Sequence, residues 1–286
     1  MLPSILGRAG ALPAHHAEDG ETIRAGVVVV APPDHHLVVE GTTLRLDVGP
    51  RENGHRPSAD MLLRSLARSW ARRAAGAVLS GTMDDGAAGL RAIRATGGLA
   101  MAQDPAEAAF PGMPGAAIEE ADPQVVAPVD ELVQSLAEWA AALPGVPEVD
   151  EAMVDDDRSQ DDVTPFTCPD CGGTLFLDAT FGAQQLRCRV GHAFSAQSLM
   201  AGKRDALEAT LWAGVVALHE RAELSARIEQ RFRRHGMLER AAKYHAAERV
   251  SRERAETLRE MIPELLSDPM HHDLAEDPHG DAPARR

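Results

Sequence analysis

Four of the 286 residues have the types and spacing for metal chemistry. Cys168-Pro-Asp-Cys171 and Cys188-Arg-Val-Gly-His192 read together as C-x2-C-x16-C-x3-H. Zinc takes four soft or borderline ligands in a tetrahedron, and two closely spaced pairs deliver them. Gly172-Gly173 lets the chain turn after the first pair, and short strands near Thr174–Leu177 and Gln185–Arg187 join the pairs. The set uses all three cysteines, an odd number that argues against a disulfide framework. A redox C-x-x-C would sit in a thioredoxin-like βαβ unit, and none surrounds this one. Four protein ligands leave no open coordination position, so the expected Zn2+ is structural. A ribbon of ~30 residues has too small a core to fold alone, so the metal should supply its stability.

A second set lies in Ser80-Gly81-Thr82-Met83-Asp84-Asp85-Gly86, where an apolar run ends and a helix begins. Aspartate before glycine at a helix start is a good N-cap, and acids suit the positive end of the helix dipole. The other reading is functional. Open α/β sheets place their sites at the C-terminal edge of their strands, and a carboxylate there can hold a histidine in one tautomer. On spacing alone the cap ranks first.

The elements that must position these residues follow from periodicity. Residues 1–143 alternate strand and helix signals: a β-branched run at Val27–Ala31, a hairpin around Gly41, and helices over Ala59–Ala74, Ala87–Ala95, Met113–Glu119 and Leu132–Leu143. Short strands fall at Ala77–Ser80, Leu99–Ala102 and Val125–Ala127. That order predicts an α/β domain with a doubly wound, mostly parallel sheet. Aromatics are only 3% of the chain, so its core must be Ala, Val and Leu. Residues 144–163, with eight acids, one base and two prolines, read as an acidic linker. Residues 164–195 are the zinc ribbon. Residues 196–267 are an antiparallel helical pair, its helices near 204–235 and 237–266, with a core stripe of Leu207, Leu211, Val215, Leu218, Ala222, Ser225 and Phe232. Residues 268–286, with His271, His272 and His279, read as a disordered tail. The net charge of −15 makes the chain a poor binder of nucleic acid or anionic membrane. No apolar run approaches the ~20 residues of a membrane span, so a cytoplasmic protein is expected.

Several segments share the order and spacing of one family. Gly54-His-Arg-Pro-Ser-Ala-Asp60, then Ser80 to Leu90, then Gln103-Asp-Pro105 and Phe110-Pro-Gly-Met-Pro114 resemble the catalytic domain of the chemotaxis methylesterase CheB. Ala17-Glu-Asp-Gly20 and Ala31-Pro-Pro-Asp-His-His36 upstream fit the same pattern. The ribbon and helical pair resemble the C-terminal extension of a subgroup without a receiver domain. The resemblance covers about residues 2–140. It implies hydrolysis of glutamate γ-methyl esters on chemoreceptor cytoplasmic helices by a Ser-His-Asp triad, with no cofactor for catalysis. Asp85 matches the family aspartate of a G-M-G-x-D-G pattern. Thr82 stands in place of its first methionine, and Met83 in place of its second glycine. Gly112-Met113-Pro114 resembles a segment near the family's cleft, so Thr82, Met83, Gly112 and Met113 are candidate substrate-cleft residues. A loop entering a helix accounts for Gly112–Pro114 equally well.

The family's serine lies in a Gly-Ala-Ser-x-Gly-Gly turn, and its histidine closes the second strand, ahead of a helix resembling Leu2–Arg8. Neither feature occurs in this sequence. Ser4, Ser58, Ser80, His15, His16, His35, His36 and His55 are not read as substitutes; Ser58 is expected to cap the helix after it, and His15 and His16 to lie in a surface loop. The resemblance therefore implies a sheet missing its first strands. Either more chain precedes Met1 and the complete protein is a working esterase, or this copy is catalytically silent. In the second case the alternative function is a zinc-containing signalling adaptor that binds a chemoreceptor, or a methyltransferase partner through the helical pair. A nucleic-acid regulator ranks last.

Overall fold

Small side chains set how closely the elements approach one another. The structure, a computed structural model, describes residues 1–143, 162–178 and 184–267. It opens with α1 (Leu2–Ala9), which carries a proline in its first turn, where the missing N–H costs nothing. β1 (Ala14–His16) pairs in parallel with β2 (Val28–Val30). His15 and His16, expected in a loop, thus lie in a strand, and His15 Nε2 meets Glu21 Oε1 at 2.7 Å. β3 (His36–Glu40) and β4 (Thr43–Asp47) form the expected hairpin.

α2 (Ala59–Trp70) packs on that hairpin and ties to its edge. Ser65 Oγ accepts from Val39 N at 2.9 Å, Ser69 Oγ donates to Val39 O at 2.9 Å, and Trp70 Nε1 donates to Gly41 O at 2.7 Å. Then follow β5 (Ala75–Val78), α3 (Ala87–Ala95), β6 (Leu99–Gln103), α4 (Gly112–Ala121), β7 (Val125–Ala127) and α5 (Val129–Ala142). β5, β6 and β7 make a parallel sheet with β6 at its centre. All five β6 residues are buried, as a parallel strand covered on both faces requires. Ala100 and Ala102 face the cluster with Leu90, Ile93 and Ala117, while Leu99 and Met101 pack with Leu132 of α5.

The single doubly wound sheet of the sequence reading becomes two parallel sheets, β1–β2 and β5–β6–β7. Between them the chain commits its hydrogen bonds to the β3–β4 hairpin and to α2, and the three β2 valines are only half-buried. The α/β class with parallel sheet and covering helices holds.

β8 (Asp162–Thr167), β9 (Thr174–Asp178), β10 (Gln185–Cys188) and β11 (Ala193–Phe194) form an antiparallel sheet in the order β11-β10-β9-β8. Its small core is Cys168, Leu175, Leu186, Cys188, Phe194 and Leu199. β8 takes up the last two residues assigned to the acidic linker; the rest of that linker and the histidine-bearing tail lie outside the described residues. α6 (Ala196–Arg234) begins eight residues before the expected helix, capped by Ser195 Oγ accepting from Ser198 N at 2.9 Å.

The chain divides into two compact units, Met1–Gly202 and Lys203–Arg286, so the ribbon belongs with the α/β part. In the second unit α6 and α7 (Leu238–Leu265) pack as a pair, burying Val215, Ala222, Ser225, Ala241, Ser251, Ala255 and Ile262. Phe232 stacks on Tyr244 with ring centroids 5.6 Å apart. Leu207, at the edge of the expected stripe, stays 47% exposed. Among the described residues no helix is long and apolar enough to cross a membrane.

Candidate functional site

Past β5 the chain turns, and the turn is zipped to the segment ahead of α4. Gly81 N donates to Phe110 O at 2.9 Å and Met113 N donates to Gly81 O at 2.8 Å. Thr82 and Met83 therefore lie beside Gly112 and Met113. A Cβ on Gly112 would sit 3.0 Å from Met83 N, so the approach needs glycine. Met83 takes a left-handed φ of 64°, an uncommon conformation for a side chain of this size. The four residues assigned to a cleft are together in space, with Thr82 exposed.

Asp85 does not cap the helix it precedes. The N-cap of α3 is Gly86, with φ 96° and no side-chain hydrogen bond. The Asp85 carboxylate instead serves the first turn of α2. Its Oδ1 accepts from Ser58 Oγ at 2.7 Å and Asp60 N at 3.3 Å, and its Oδ2 accepts from Ala59 N at 2.8 Å. Ser58, expected to cap α2 with its own hydroxyl, makes no such bond and donates to Asp85. Asp60 of α2 returns the service. Its Oδ1 accepts from Gly86 N at 3.1 Å and Gly89 N at 2.7 Å, at the start of α3. The two helices thus exchange caps, each carboxylate placed at the other's positive end. Gly89 makes this possible, since a Cβ there would lie 2.6 Å from Leu63 Cβ and 3.0 Å from Asp60 Cα.

Asp60 is almost fully buried. Burial pushes its carboxyl up to about 7; Arg64 opposes the rise and the Asp85 charge adds to it. Burial also raises Asp84, opposed first by a hydrogen bond from Ser195 and aided by the neighbouring Asp85. His36, fully buried, bridges Pro50 O through Nε2 and accepts from Ser58 N at Nδ1. Its ring nitrogens are spent on backbone, and among the described residues no imidazole hydrogen-bonds Asp85.

The ribbon is seated on the loop ahead of α2. Asn53, held at a left-handed φ of 51°, donates from Nδ2 to Asp60 Oδ2 at 3.0 Å. Its Oδ1 accepts from Ser195 N at 3.0 Å and Ser198 Oγ at 2.9 Å. Beside it Glu52, 1% exposed, joins Arg64 of α2 to Arg187 of β10. Burial works to raise the Glu52 carboxyl, but the Arg64 and Arg187 charges outweigh it and hold the group below its usual value.

Cys168, Cys171, Cys188 and His192 come together as the spacing predicted, one ligand atom of each lying within 4.8 Å of the others. Cys171 Sγ and Cys188 Sγ are 3.7 Å apart. That is far beyond the ~2.05 Å of a disulfide and matches the ~3.8 Å edge of a tetrahedron with ~2.3 Å metal–sulfur bonds. His192 Nδ1 faces Cys188 Sγ at 3.5 Å, and its Nε2 lies 3.8 Å from Asp170 Oδ2. A carboxylate behind the ligating ring is the usual outer partner of a metal-bound histidine. The four residues fit a metal ion.

Asp84, Asp85 and all four metal ligands stand out in the sequence, whereas Asp60 is only one letter of a family-like segment and Glu52, Asn53 and Arg64 carry no local mark. An acid in the first turn of a helix, as at Asp60, was the one available signal; the ribbon contacts of Glu52 and Asn53 lie more than 130 positions along the chain.

These features define an open α/β domain with aspartates at the C-terminal edge of its parallel sheet and a Cys3His ribbon seated beside them. The family model described as CheB methylesterase matches residues 1–136. The chain is 41% identical over 145 residues to protein-glutamate methylesterase/protein-glutamine glutaminase 1 of Paramagnetospirillum magneticum, covering 49% of this chain and 38% of that protein. It is 39% identical over 140 residues to the corresponding protein 2 of Pseudomonas aeruginosa, covering 48% and 40%. Among solved structures, the CheB methylesterase catalytic domain of Thermotoga maritima matches at 30% identity and a TM-score of 0.46, over 48% of this chain and 75% of that one. Residues 1–136 are thus similar to the CheB methylesterase family. The chain spans about two fifths of the length of these two curated relatives.

The Asp60 carboxyl keeps its proton to about pH 7 when folded and only to about 3.8 in the unfolded chain. Between those values the native state binds more protons, so this group makes stability fall as pH rises through the window. The melting temperature of the wild-type chain should drop from pH 5 to pH 8 more steeply than that of Asp60→Asn. Parallel pH profiles for the two would contradict the assignment.

Proposed function

We propose that residues 1–143 are the aspartate-bearing part of a chemotaxis protein-glutamate methylesterase domain, acting on glutamate γ-methyl esters of chemoreceptor cytoplasmic helices. The observation that carries this is the state of Asp85 at the end of β5, within the family-matched segment. A carboxylate offers about four acceptor sites. Ser58 Oγ, Ala59 N and Asp60 N take three, leaving one on Oδ2 for an imidazole N–H. In that role Asp85 fixes the tautomer of a general-base histidine and stabilises the imidazolium formed when a serine attacks the ester. Methanol leaves, and water then releases the glutamate and regenerates the serine. The same acyl chemistry with ammonia leaving would serve a glutamine side chain, the second activity in the relatives' names. Thr82, Met83, Gly112 and Met113 are assigned to the cleft beside Asp85. The reading assigns no nucleophile or general base among the 286 residues.

The Cys3His set is assigned a structural Zn2+, held by Cys168, Cys171, Cys188 and His192. The protein is placed in the cytoplasm with its receptor substrate. A second reading, a signalling adaptor, is favoured by one observation: α6 exposes Leu207, Trp212 and Val216, apolar side chains that a protein partner would cover. Protein isolated from its native cells should release methanol from a methyl-esterified receptor fragment, with kcat about 10⁴-fold lower for Asp85→Asn. Receptor binding without methanol would overturn the esterase in favour of the adaptor.

A further inference from the structure

We propose that the metal-organised ribbon is a positioning element for Asp85, acting through Asn53 and Asp60. This rests on the readings above of Asp85 as the orienting carboxylate and of the four ligands as a zinc site. The path is an unbroken run of hydrogen bonds. Ser195 N and Ser198 Oγ hold Asn53 Oδ1, Asn53 Nδ2 holds Asp60 Oδ2, and Asp60 Oδ1 holds Gly86 and Gly89 at the entry to α3. Asp60 N donates to Asp85 Oδ1, so the last group in the run is the carboxylate itself.

The ribbon residues that dock are interleaved with those that would bind metal. Arg187 precedes Cys188, and its guanidinium reaches Glu52 Oε1 at 3.2 Å and Gly191 O at 3.2 Å. Ala193 follows His192, and its carbonyl accepts from Asn53 N at 2.8 Å. Metal binding that orders Cys188 to His192 therefore orders the docking surface in the same step. A ribbon this small has little core of its own, so its order depends on the metal.

Loss of the ribbon has a defined electrostatic and conformational consequence. Glu52 loses Arg187, Arg64 loses its bond to Gln185 Oε1, and Asn53 loses the acceptor and donors that hold it at positive φ. A residue in that conformation keeps it only while its surroundings impose it. Once Asn53 relaxes, buried Asp60 Oδ2 loses its hydrogen-bond partner, and the α2–α3 cap exchange loses the contact that fixes the Asp60 carboxyl. Asn53 and Asp60 are positioning residues for Asp85, and zinc is the control.

Amide hydrogen exchange on the full 286-residue chain, zinc-loaded and then chelated, tests this. The readout is protection at Ala59, Asp60, Gly86 and Gly89, with Cys168, Gly172 and Cys188 reporting the ribbon and Gly98 and Leu99 as remote references. Chelation should lower protection about tenfold or more at the ribbon and at the four carboxylate-linked amides, and leave the references protected. In zinc-loaded Asn53→Ala the four amides should lose protection while the ribbon amides keep theirs, a split that general loss of stability does not produce. If chelation exposes the references as well, the Asn53→Ala arm decides. The proposal is overturned if the chain takes up no zinc, if chelation opens the ribbon with the four amides unchanged, or if Asn53→Ala leaves them protected. Exchange reads geometry, so these results stand apart from any outcome of the methanol assay.

Discussion

The start of a helix leaves four N–H groups without intrahelical partners, and in this chain two helices begin side by side. Asp85, at the entry to α3, satisfies the first turn of α2; Asp60, in the first turn of α2, satisfies the start of α3. Two carboxylates this close repel, and burial penalises both the charge and any unmet acceptor. The arrangement holds because burial keeps the Asp60 carboxyl protonated to about pH 7, which removes one of two like charges, because each group sits at the positive end of the other's helix, and because Arg64 lies within the same buried set. Gly89 sets the distance: no side chain fits between α2 and α3 at that point.

The second constraint is the seat of the ribbon. Glu52 is one acid between two guanidiniums, and the buried pair with Arg64 is complete only with the ribbon's Arg187 alongside. Removing one partner of a buried ion pair costs several times what a surface pair contributes, so the loop at 50–56 and the ribbon form one cooperative contact. Gly202 shows the same closeness, since a Cβ there would meet Pro169 Cγ at 2.9 Å. The aspartates of the α/β part and the cysteines of the ribbon are thus neighbours in one compact unit.

Much of this was legible in the chain itself, for reasons that differ residue by residue. The metal set was readable because ligand spacing is local and its geometry is imposed by the ion. α3 was readable to the residue because Gly86 and Gly97 mark its ends. That an acid before Gly86 meets helix N–H groups was also readable, but not which helix: the recipient lies 25 to 27 positions upstream. The early start of α6 was hidden by Gly202, which reads as a breaker and is there for Pro169. β1 was hidden because His15-His16 carries no apolar alternation and is held by parallel pairing to distant valines. Glu52 and Asn53 look like ordinary loop residues until the ribbon is brought to them.

The exchange of caps is most directly tested at its one side-chain pair, Ser58 Oγ and Asp85 Oδ1. A double-mutant cycle of Ser58→Ala, Asp85→Ala and the combined variant, read by chemical denaturation of the zinc-loaded chain, isolates their coupling. A coupling of about 1.5–3 kcal/mol is expected, the range for a hydrogen bond to a charged group. Additive losses, with coupling under about 0.5 kcal/mol, would contradict it.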